Sequence, residues 1–188
     1  MHEQPPGRNT AACGMRARRQ SVAASVRGAV LLVAFVAGAA QAAPIKLALF
    51  DFELEDASAA VTSTGEADAA QLAKVTEQVR QLLAQSGRYQ LVEVGGADAA
   101  AAKARALHDC NGCDAGIALD LGAEQSFVGV VRRISRTEYT VRFQVRDART
   151  GAVVSSEDSG LRMGADYSWS RGAARLVADR LLERRTQQ

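Results

Sequence analysis

The stretch FVGVV, from Phe127 to Val131, decides the fold of this 188-residue chain. All five residues are apolar or glycine, and polar residues lie on both sides of them. Because neither face of this segment is polar, it is typical of a strand at the centre of a sheet. The other predicted strands and helices must therefore pack around it.

The segment that follows predicts an antiparallel meander. Tyr139, Val141, Phe143 and Val145 alternate with polar residues, which is typical of a half-buried strand. Asp147 to Gly151 has the composition of a turn, and a further strand is predicted from Ala152 to Ser155.

The segments before the central strand predict two more strands. IKLALFDF, from Ile45 to Phe52, is short and apolar and indicates a buried first strand. YQLVEV, from Tyr89 to Val94, alternates and indicates a second one. Glu53 to Glu66 lacks periodicity, so we predict an exposed loop there.

Four helices complete the pattern. The first and last have apolar residues at helical spacing, the second is rich in alanine, and a short third one follows two cysteines and ends at Gly122. The residues that indicate the first helix are Leu72, Val75, Val79, Leu82 and Leu83. The second helix is predicted over Ala97 to Leu107, and the last is indicated by Trp169, Ala173, Leu176, Val177 and Leu181. The order β-α-β-α-α-β-β-β-α predicts a single α+β domain, a mixed sheet with helices packed on it.

Residues 1–42 are predicted to be a secretory signal peptide that is cleaved after Ala42. A basic region precedes an apolar run from Ala29 to Ala40, and Ala40-Gln41-Ala42 matches the small-x-small cleavage pattern. The run is shorter than the roughly 20 residues that span a bilayer, so no stable membrane anchor is expected after cleavage. The sequence leaves open whether translation starts at Met1 or Met15. It also leaves open whether export uses the general or the twin-arginine pathway. The basic residues are Arg16, Arg18, Arg19 and Arg27.

The predicted mature domain, 43–188, is nearly neutral. It carries 18 Lys and Arg against 20 Asp and Glu, a net charge near −2. Such a domain has no general electrostatic attraction to nucleic acid, so no nucleic-acid partner is expected. From the predicted signal peptide, we expect this domain to lie in the periplasm.

Cys110 and Cys113, in HDCNGCDAG, admit four chemistries. Haem attachment needs a histidine directly after the second cysteine, where Asp114 stands. A zinc site needs four ligands, and the mature chain has only these cysteines and His108, at cramped spacing, so no metal is expected.

A catalytic dithiol and a structural disulfide remain for the cysteine pair. A thioredoxin-like site needs a preceding strand and a cis-proline, whereas an alanine-rich helix precedes the pair and the only mature proline is Pro44. The bridge would stabilise the domain by about 2 kcal/mol in an oxidising compartment. We predict a structural disulfide, with a thiol-disulfide redox protein as the alternative.

Two charged stretches are the candidate contact surfaces. The acidic stretch consists of Asp51, Glu53, Glu55 and Asp56, just past the first strand, where ligand sites of α/β proteins gather. The basic strand face is centred on Arg142 and Arg146. Opposite charges on one domain also permit a homodimer.

Five stretches together resemble a domain-of-unknown-function family of small secreted bacterial proteins. They are LALFDFELEDAS, SGRYQLVEV, CNGCDAGIALDLGAEQSFVGVV, DARTGAVV and SWSRGAARLVADRLL. The layout is also remotely similar to periplasmic modules such as the TolB N-terminal domain and CsgG-like proteins. That resemblance implies envelope assembly or partner binding rather than catalysis.

The function expected from the sequence is therefore that of a non-enzymatic periplasmic accessory module. It would bind an envelope or exported protein and use no cofactor. A small-ligand binder, with its site at the end of the first strand, is a further alternative.

Overall fold

The computed structural model describes residues 43–57, 65–135, 137–160 and 168–183. The predicted signal peptide and its cleavage site lie outside these residues. The described residues belong to one compact unit, residues 41–188.

The central strand predicted at Phe127 to Val131 is the middle of β4, Gln125–Arg133. One edge of β4 pairs in parallel with β1, Ile45–Leu49, and the other pairs antiparallel with β5, Tyr139–Asp147. Outside them lie β3, Tyr89–Val92, parallel to β1, and β6, Val153–Asp158, antiparallel to β5. The order β3-β1-β4-β5-β6 is a mixed sheet, so the predicted fold class is confirmed.

A sixth strand, β2, lies where we predicted an exposed loop, and for these residues the prediction was wrong. β2, Glu53–Asp56, pairs in parallel with β4 from Glu53 opposite Val130 to Asp56 opposite Arg133. Acidic residues are poor strand formers on their own. Here arginines of β4 and β5 neutralise Glu55 and Asp56, a contribution that the local sequence does not contain.

β1 and β2 follow the same edge of β4, with a break at Phe50–Phe52. At the start of the break, the Phe50 N–H still donates to the Phe127 carbonyl at 3.1 Å. Inside it, the Phe52 N–H donates to Thr76 Oγ1 at 2.9 Å. The Thr76 side chain thus replaces the missing strand partner, and Asp51 is exposed at the break.

The four predicted helices are present. They are α1, Glu66–Gln85; α2, Gly96–Arg105; α3, Cys113–Asp120; and α4, Ser168–Val177, which continues as a π-helical segment, Ala178–Glu183. Ser86 is the C-cap of α1, and Gly87 takes a φ of +65°, which glycine adopts without strain. None of the helices in the described ranges is long and apolar enough to cross a membrane.

The helices cover opposite faces of the sheet. α1 and α4 bury alternate residues of the strands, such as Leu47, Phe127 and Phe143, in the larger core. α2 and α3 cover a smaller core on the other face, which includes Phe50 and Val128. Trp169 of α4 is buried in the larger core, with its ring centroid 4.8 Å from that of Tyr139.

The buried guanidinium of Arg133 connects the end of β4 to the neighbouring elements. Arg133 contacts Asp56 at 3.0 Å, Asp68 of α1 at 2.5 Å, and the Tyr139 hydroxyl at 3.1 Å. Burial alone would lower the pKa of this guanidinium, but the hydrogen bonds to Asp68 and Tyr139 raise it above its ordinary value. The three partners lie on β2, α1 and β5, so one side chain connects four elements.

Candidate functional site

The carboxylates of the predicted acidic stretch are largely paired. Glu55 accepts from Arg142 Nη2 at 2.9 Å and lies 3.2 Å from Arg132 Nε. Asp56 is bound to Arg133. These two acids hold β2 to β4 and β5. Of the acidic stretch expected from the sequence, only the first residues, Asp51 and Glu53, are not bound to these arginines.

Arg146 does not lie on an exposed basic face as we predicted, because α3 covers it. Its side chain is 12% exposed. Its nitrogens contact the Gly151 carbonyl at 2.9 Å, Asn111 Oδ1 at 3.3 Å and Asp114 Oδ1 at 3.5 Å. Strand alternation correctly places Arg146 on the polar side of β5, but it does not reveal that a helix packs there.

Asp114, in the first turn of α3, is the buried partner of that arginine. It also accepts a hydrogen bond from the Ser126 hydroxyl at 2.5 Å. A buried carboxylate is costly unless it is paired and hydrogen-bonded, and Asp114 has both kinds of contact. It therefore anchors α3 to β4 and β5.

Cys110 and Cys113 form a disulfide at the start of α3, with 5.8 Å between their Cα atoms. The Cys113 N–H also donates to Cys110 Sγ at 3.2 Å. The residues before the pair form a turn that follows α2, not a strand. A structural rather than catalytic role for this disulfide stays a prediction.

Glu53 of the acidic stretch binds the turn between α2 and α3. Its two oxygens accept the backbone N–H groups of Leu107 at 2.7 Å and His108 at 2.8 Å. Glu53 Oε2 also lies 2.5 Å from His108 Nδ1, and His108 Nε2 lies 3.4 Å from Asp109. The imidazole is 11% exposed and lies between two carboxylates.

Sequence reasoning missed this pair of Glu53 and His108. The two residues are 55 positions apart, and His108 was considered only as a companion of the cysteines. The sequence contained a signal for each residue: Glu53 directly follows a predicted buried strand, and His108 is the only histidine after residue 42 and lies at a junction between predicted helices.

A cleft lies at the carboxyl ends of β1 and β3, and we call it the β1 cleft. Its volume is about 260 Å³. The break between β1 and β2, α2 with its flanking turns, and one residue of α1 form its walls. The apolar lining consists of Leu49, Phe50, Phe52, Leu54, Val94, Ala99, Ala102, Ala106 and Leu107; the polar lining is Asp51, Glu53, Arg80 and His108.

A second depression adjoins the β1 cleft on the side of α1, and we call it the α1 groove. Its volume is about 350 Å³. The two share Asp51, Phe52 and Arg80, and the α1 groove adds Ala69, Leu72, Ala73, Thr76 and Glu77. Two of the predicted contact residues, Asp51 and Glu53, therefore line this surface, whereas Glu55, Asp56, Arg142 and Arg146 do not.

Several solved structures are similar to this chain at low identity. The C-terminal domain of LpoB from Escherichia coli has 16% identity and a TM-score of 0.43 over 68% of this chain and 86% of that one. A PelC dodecamer from Paraburkholderia phytofirmans has 17% identity and a TM-score of 0.44 over 74% and 86% of the two chains. TolB from Acinetobacter baumannii has 16% identity and a TM-score of 0.40 over 70% of this chain and 26% of that one.

The comparison with protein families agrees with the resemblance found in the sequence. No curated protein matches the chain. One family model matches residues 45–181, from the first residue of β1 into the π-helical segment. The match covers well over half of the chain, and the protein therefore belongs to the family described as "Protein of unknown function (DUF2380)".

Proposed function

We propose that the protein is a non-enzymatic binding module, exported to the periplasm, that recognises a segment of another envelope or exported protein. The β1 cleft is the binding site. The observation that supports this most directly is the joined pair of depressions at the carboxyl end of β1, the edge of a parallel sheet at which ligands commonly bind.

The size of the β1 cleft favours a protein side chain over a metabolite. At about 260 Å³ it is smaller than the roughly 300–1,000 Å³ of typical small-molecule pockets. It can hold one large side chain, and such anchors dominate the energy of many protein interfaces. The adjoining α1 groove extends the surface, so a peptide segment can follow the anchor across Phe52.

The charges around the two depressions favour a basic partner. Asp51 and Glu77 lie on the rim, and Arg80, whose Nε is 3.7 Å from Glu77, is the one arginine or lysine among the described lining residues. Glu53 is already paired with His108. Acidic residues therefore outnumber basic ones among the described lining residues, and we expect the partner segment to combine an apolar anchor with a nearby lysine or arginine.

The bonding of Glu53 and His108 supports a binding role. Both oxygens of Glu53 accept backbone N–H groups, and the same carboxylate binds the imidazole. These contacts hold the wall of the cleft in place. A general base must instead be able to reach a proton on a substrate.

Export is the second part of this proposal. The predicted signal peptide supports it, and a disulfide suits an oxidising compartment. N-terminal sequencing of the protein isolated from periplasm is expected to start at Ala43. A mature protein that starts before Gly28 would contradict the predicted cleavage.

The binding site can be tested by filling the β1 cleft. Ala99 lines it, whereas its neighbour Ala100 on α2 is exposed and does not. A photo-crosslinking residue at Asp51 should capture a partner from periplasm for identification. Ala99→Phe should then weaken binding of that purified partner at least about tenfold, or about 1.4 kcal/mol. Ala100→Phe should leave binding unchanged.

Two results would overturn the proposal. One is equal affinity of the purified partner for both phenylalanine variants, provided that both melt like the wild type. The other is a small molecule that copurifies with the protein, is detected by native mass spectrometry, and is lost in Ala99→Phe. That second result would instead establish a small-ligand binder.

A further inference from the structure

The outer edge of β2 is open among the described residues. β1 and β2 follow the same edge of β4, so β3, which pairs with β1, lies on the side where a neighbour of β2 would lie. β3 ends at Val92, opposite Ala48, and β2 pairs with β4 alone in the described part of the chain. Leu54 of β2 lines the β1 cleft. The position beside β2 that a further strand would occupy is therefore at this cleft.

The backbone of Leu54 is directed toward this open edge. Along a strand, the N–H and C=O groups of successive residues point alternately to its two sides. The Ala57 N–H donates to the Arg133 carbonyl of β4, so Leu54, an odd number of residues away, points its N–H and C=O away from β4. Neither group has a partner among the described residues. Unpaired groups of this kind are a template for pairing with another chain.

The β1 cleft and the α1 groove lie on opposite faces of the sheet at this edge. The β1 cleft reaches Phe50 and Ala102 of the smaller core, on the face that α2 and α3 cover. The α1 groove is formed by α1 and by Phe52 of the larger core, on the other face. Because successive side chains of a strand point to opposite faces of a sheet, a strand added at this edge would place alternate side chains in the two depressions.

We propose that the segment recognised at the β1 cleft binds as an added β-strand, with backbone hydrogen bonds to the N–H and C=O of Leu54. This inference rests on the proposed function and specifies the form in which the partner binds. Proteins commonly recognise extended peptides in this way: main-chain hydrogen bonds give affinity, and pockets for alternate side chains give specificity.

The lining of the two depressions specifies the sequence of the added strand. An apolar side chain enters the β1 cleft, whose lining is mainly apolar. The residues on either side of it face the α1 groove, whose charged lining is Asp51, Glu77 and Arg80, two acids to one cation. The partner segment is therefore basic-apolar-basic in three consecutive residues.

The synthetic peptide acetyl-Thr-Lys-Phe-Lys-Thr-amide tests this pattern. Its phenylalanine would enter the β1 cleft while both lysines face the α1 groove. The matched control, acetyl-Lys-Thr-Phe-Thr-Lys-amide, has the same composition but places both lysines on the same face as the phenylalanine. NMR titration of the protein should give a Kd of about 1 mM for the first peptide and at least about fivefold weaker binding for the control.

Methylation of single backbone nitrogens of the first peptide tests strand addition apart from the side chains. In an added strand, the N–H groups of successive residues point alternately to β2 and to solvent. Of two peptides methylated at the phenylalanine or at the following lysine, one should therefore bind at least about fivefold more weakly and the other within about twofold of the parent.

Hydrogen exchange reports the same contact from the side of the protein. At saturating peptide, the Leu54 N–H should exchange with solvent at least about tenfold more slowly. The Glu55 N–H is the control, because by the same alternation it points to β4; its exchange should change by less than about twofold.

Equal losses from the two methylations, or unchanged exchange of Leu54 in the complex, would overturn strand addition and leave the β1 cleft as a site for a segment of another shape. Equal binding of the two isomeric peptides, or binding of neither, would overturn the basic-apolar-basic pattern. Protection of Leu54 that rises with protein concentration in the absence of peptide would assign the edge to a second copy of the chain. The proposed function is tested separately, by the effect of Ala99→Phe on the partner captured from periplasm.

Discussion

The ring of Phe52 lies directly on the backbone of Gly129. A Cβ atom added to Gly129 would overlap three atoms of that ring. Phe52 is in the break between β1 and β2, and Gly129 is in the middle of β4, so the missing side chain of one residue makes the space for the other. The break and the glycine therefore depend on each other.

Gly129→Ala is expected to lower the free energy of unfolding by about 1–3 kcal/mol, because the added methyl group must displace the Phe52 ring from a packed core. Urea denaturation measures this change. Gly116→Ala in α3 is the control: a Cβ there has nothing within 4 Å, and alanine should stabilise the helix by up to about 1 kcal/mol. Equal effects of the two substitutions would contradict the packing described for Phe52.

Ala106→Gly should raise the free energy of unfolding by about 1 kcal/mol. Ala106 ends α2 with a φ of +46° in the left-handed region, where a Cβ is unfavourable and glycine is not. Ala100→Gly, in the exposed middle of the same helix, should lower it by a similar amount. Thermal melts of the two variants should therefore move in opposite directions, and a lower melting temperature for Ala106→Gly would show that the alanine is not strained.

The turn at Asp147 should make stability depend on pH. Hydrogen bonds from the Thr150 backbone N–H and hydroxyl lower the pKa of Asp147 below its ordinary value of 3.8. Its stabilising contribution is therefore complete above 3.8 and is lost as the pH falls through the lowered pKa of the folded state.

Asp147→Asn tests that dependence, because asparagine fits the turn without a charge. At neutral pH the variant should melt at a lower temperature than the wild type, and the difference should shrink toward about pH 2. A difference in melting temperature that stays constant over this range would exclude ionisation of Asp147 as its cause.

The Cys110–Cys113 disulfide should stabilise without catalysing. Replacement of both cysteines with serine is expected to lower the free energy of unfolding by about 2 kcal/mol. The effect is this small because the disulfide restricts the unfolded chain only over a short loop. In an insulin-reduction assay the wild type should show no more turnover than the double variant. Rapid turnover that Cys110→Ser abolishes would instead establish a redox protein.

The strands that alternation or continuous apolarity marks were predictable, and β2 was not. β4 and β5 carry their pattern in their own residues, as Phe127 and Val141 illustrate. β2 reads ELED, and its stability as a strand comes from Arg132, Arg133 and Arg142, which lie about 80 residues later in the chain. No local window of sequence contains both halves of that interaction.

The position of the candidate site was predictable from the sequence, but the full set of residues that line it was not. The end of the first strand was correctly singled out as a place for a site, since Asp51 and Glu53 line the β1 cleft. Arg80 and Ala99 come from helices whose polar or small residues look ordinary in the sequence. Arg146 shows the opposite error, because a charged residue on the polar side of a strand was assumed to meet solvent.

The packing of α1 and α4 on one face has a consequence for the order in which the chain can fold. Ala173 of α4 and Leu181 of the π-helical segment belong to the same core as Leu47 of β1, although more than a hundred residues separate them from that strand. Arg88, just before β3, makes a second long-range contact, because its Nη1 donates to the Leu181 carbonyl at 3.1 Å. Until α4 docks, α1 alone covers that face of the sheet and part of its core stays exposed, so this face is completed only by a long-range contact. A contact between segments so far apart in the sequence closes a long loop, and we therefore expect it to form late in folding.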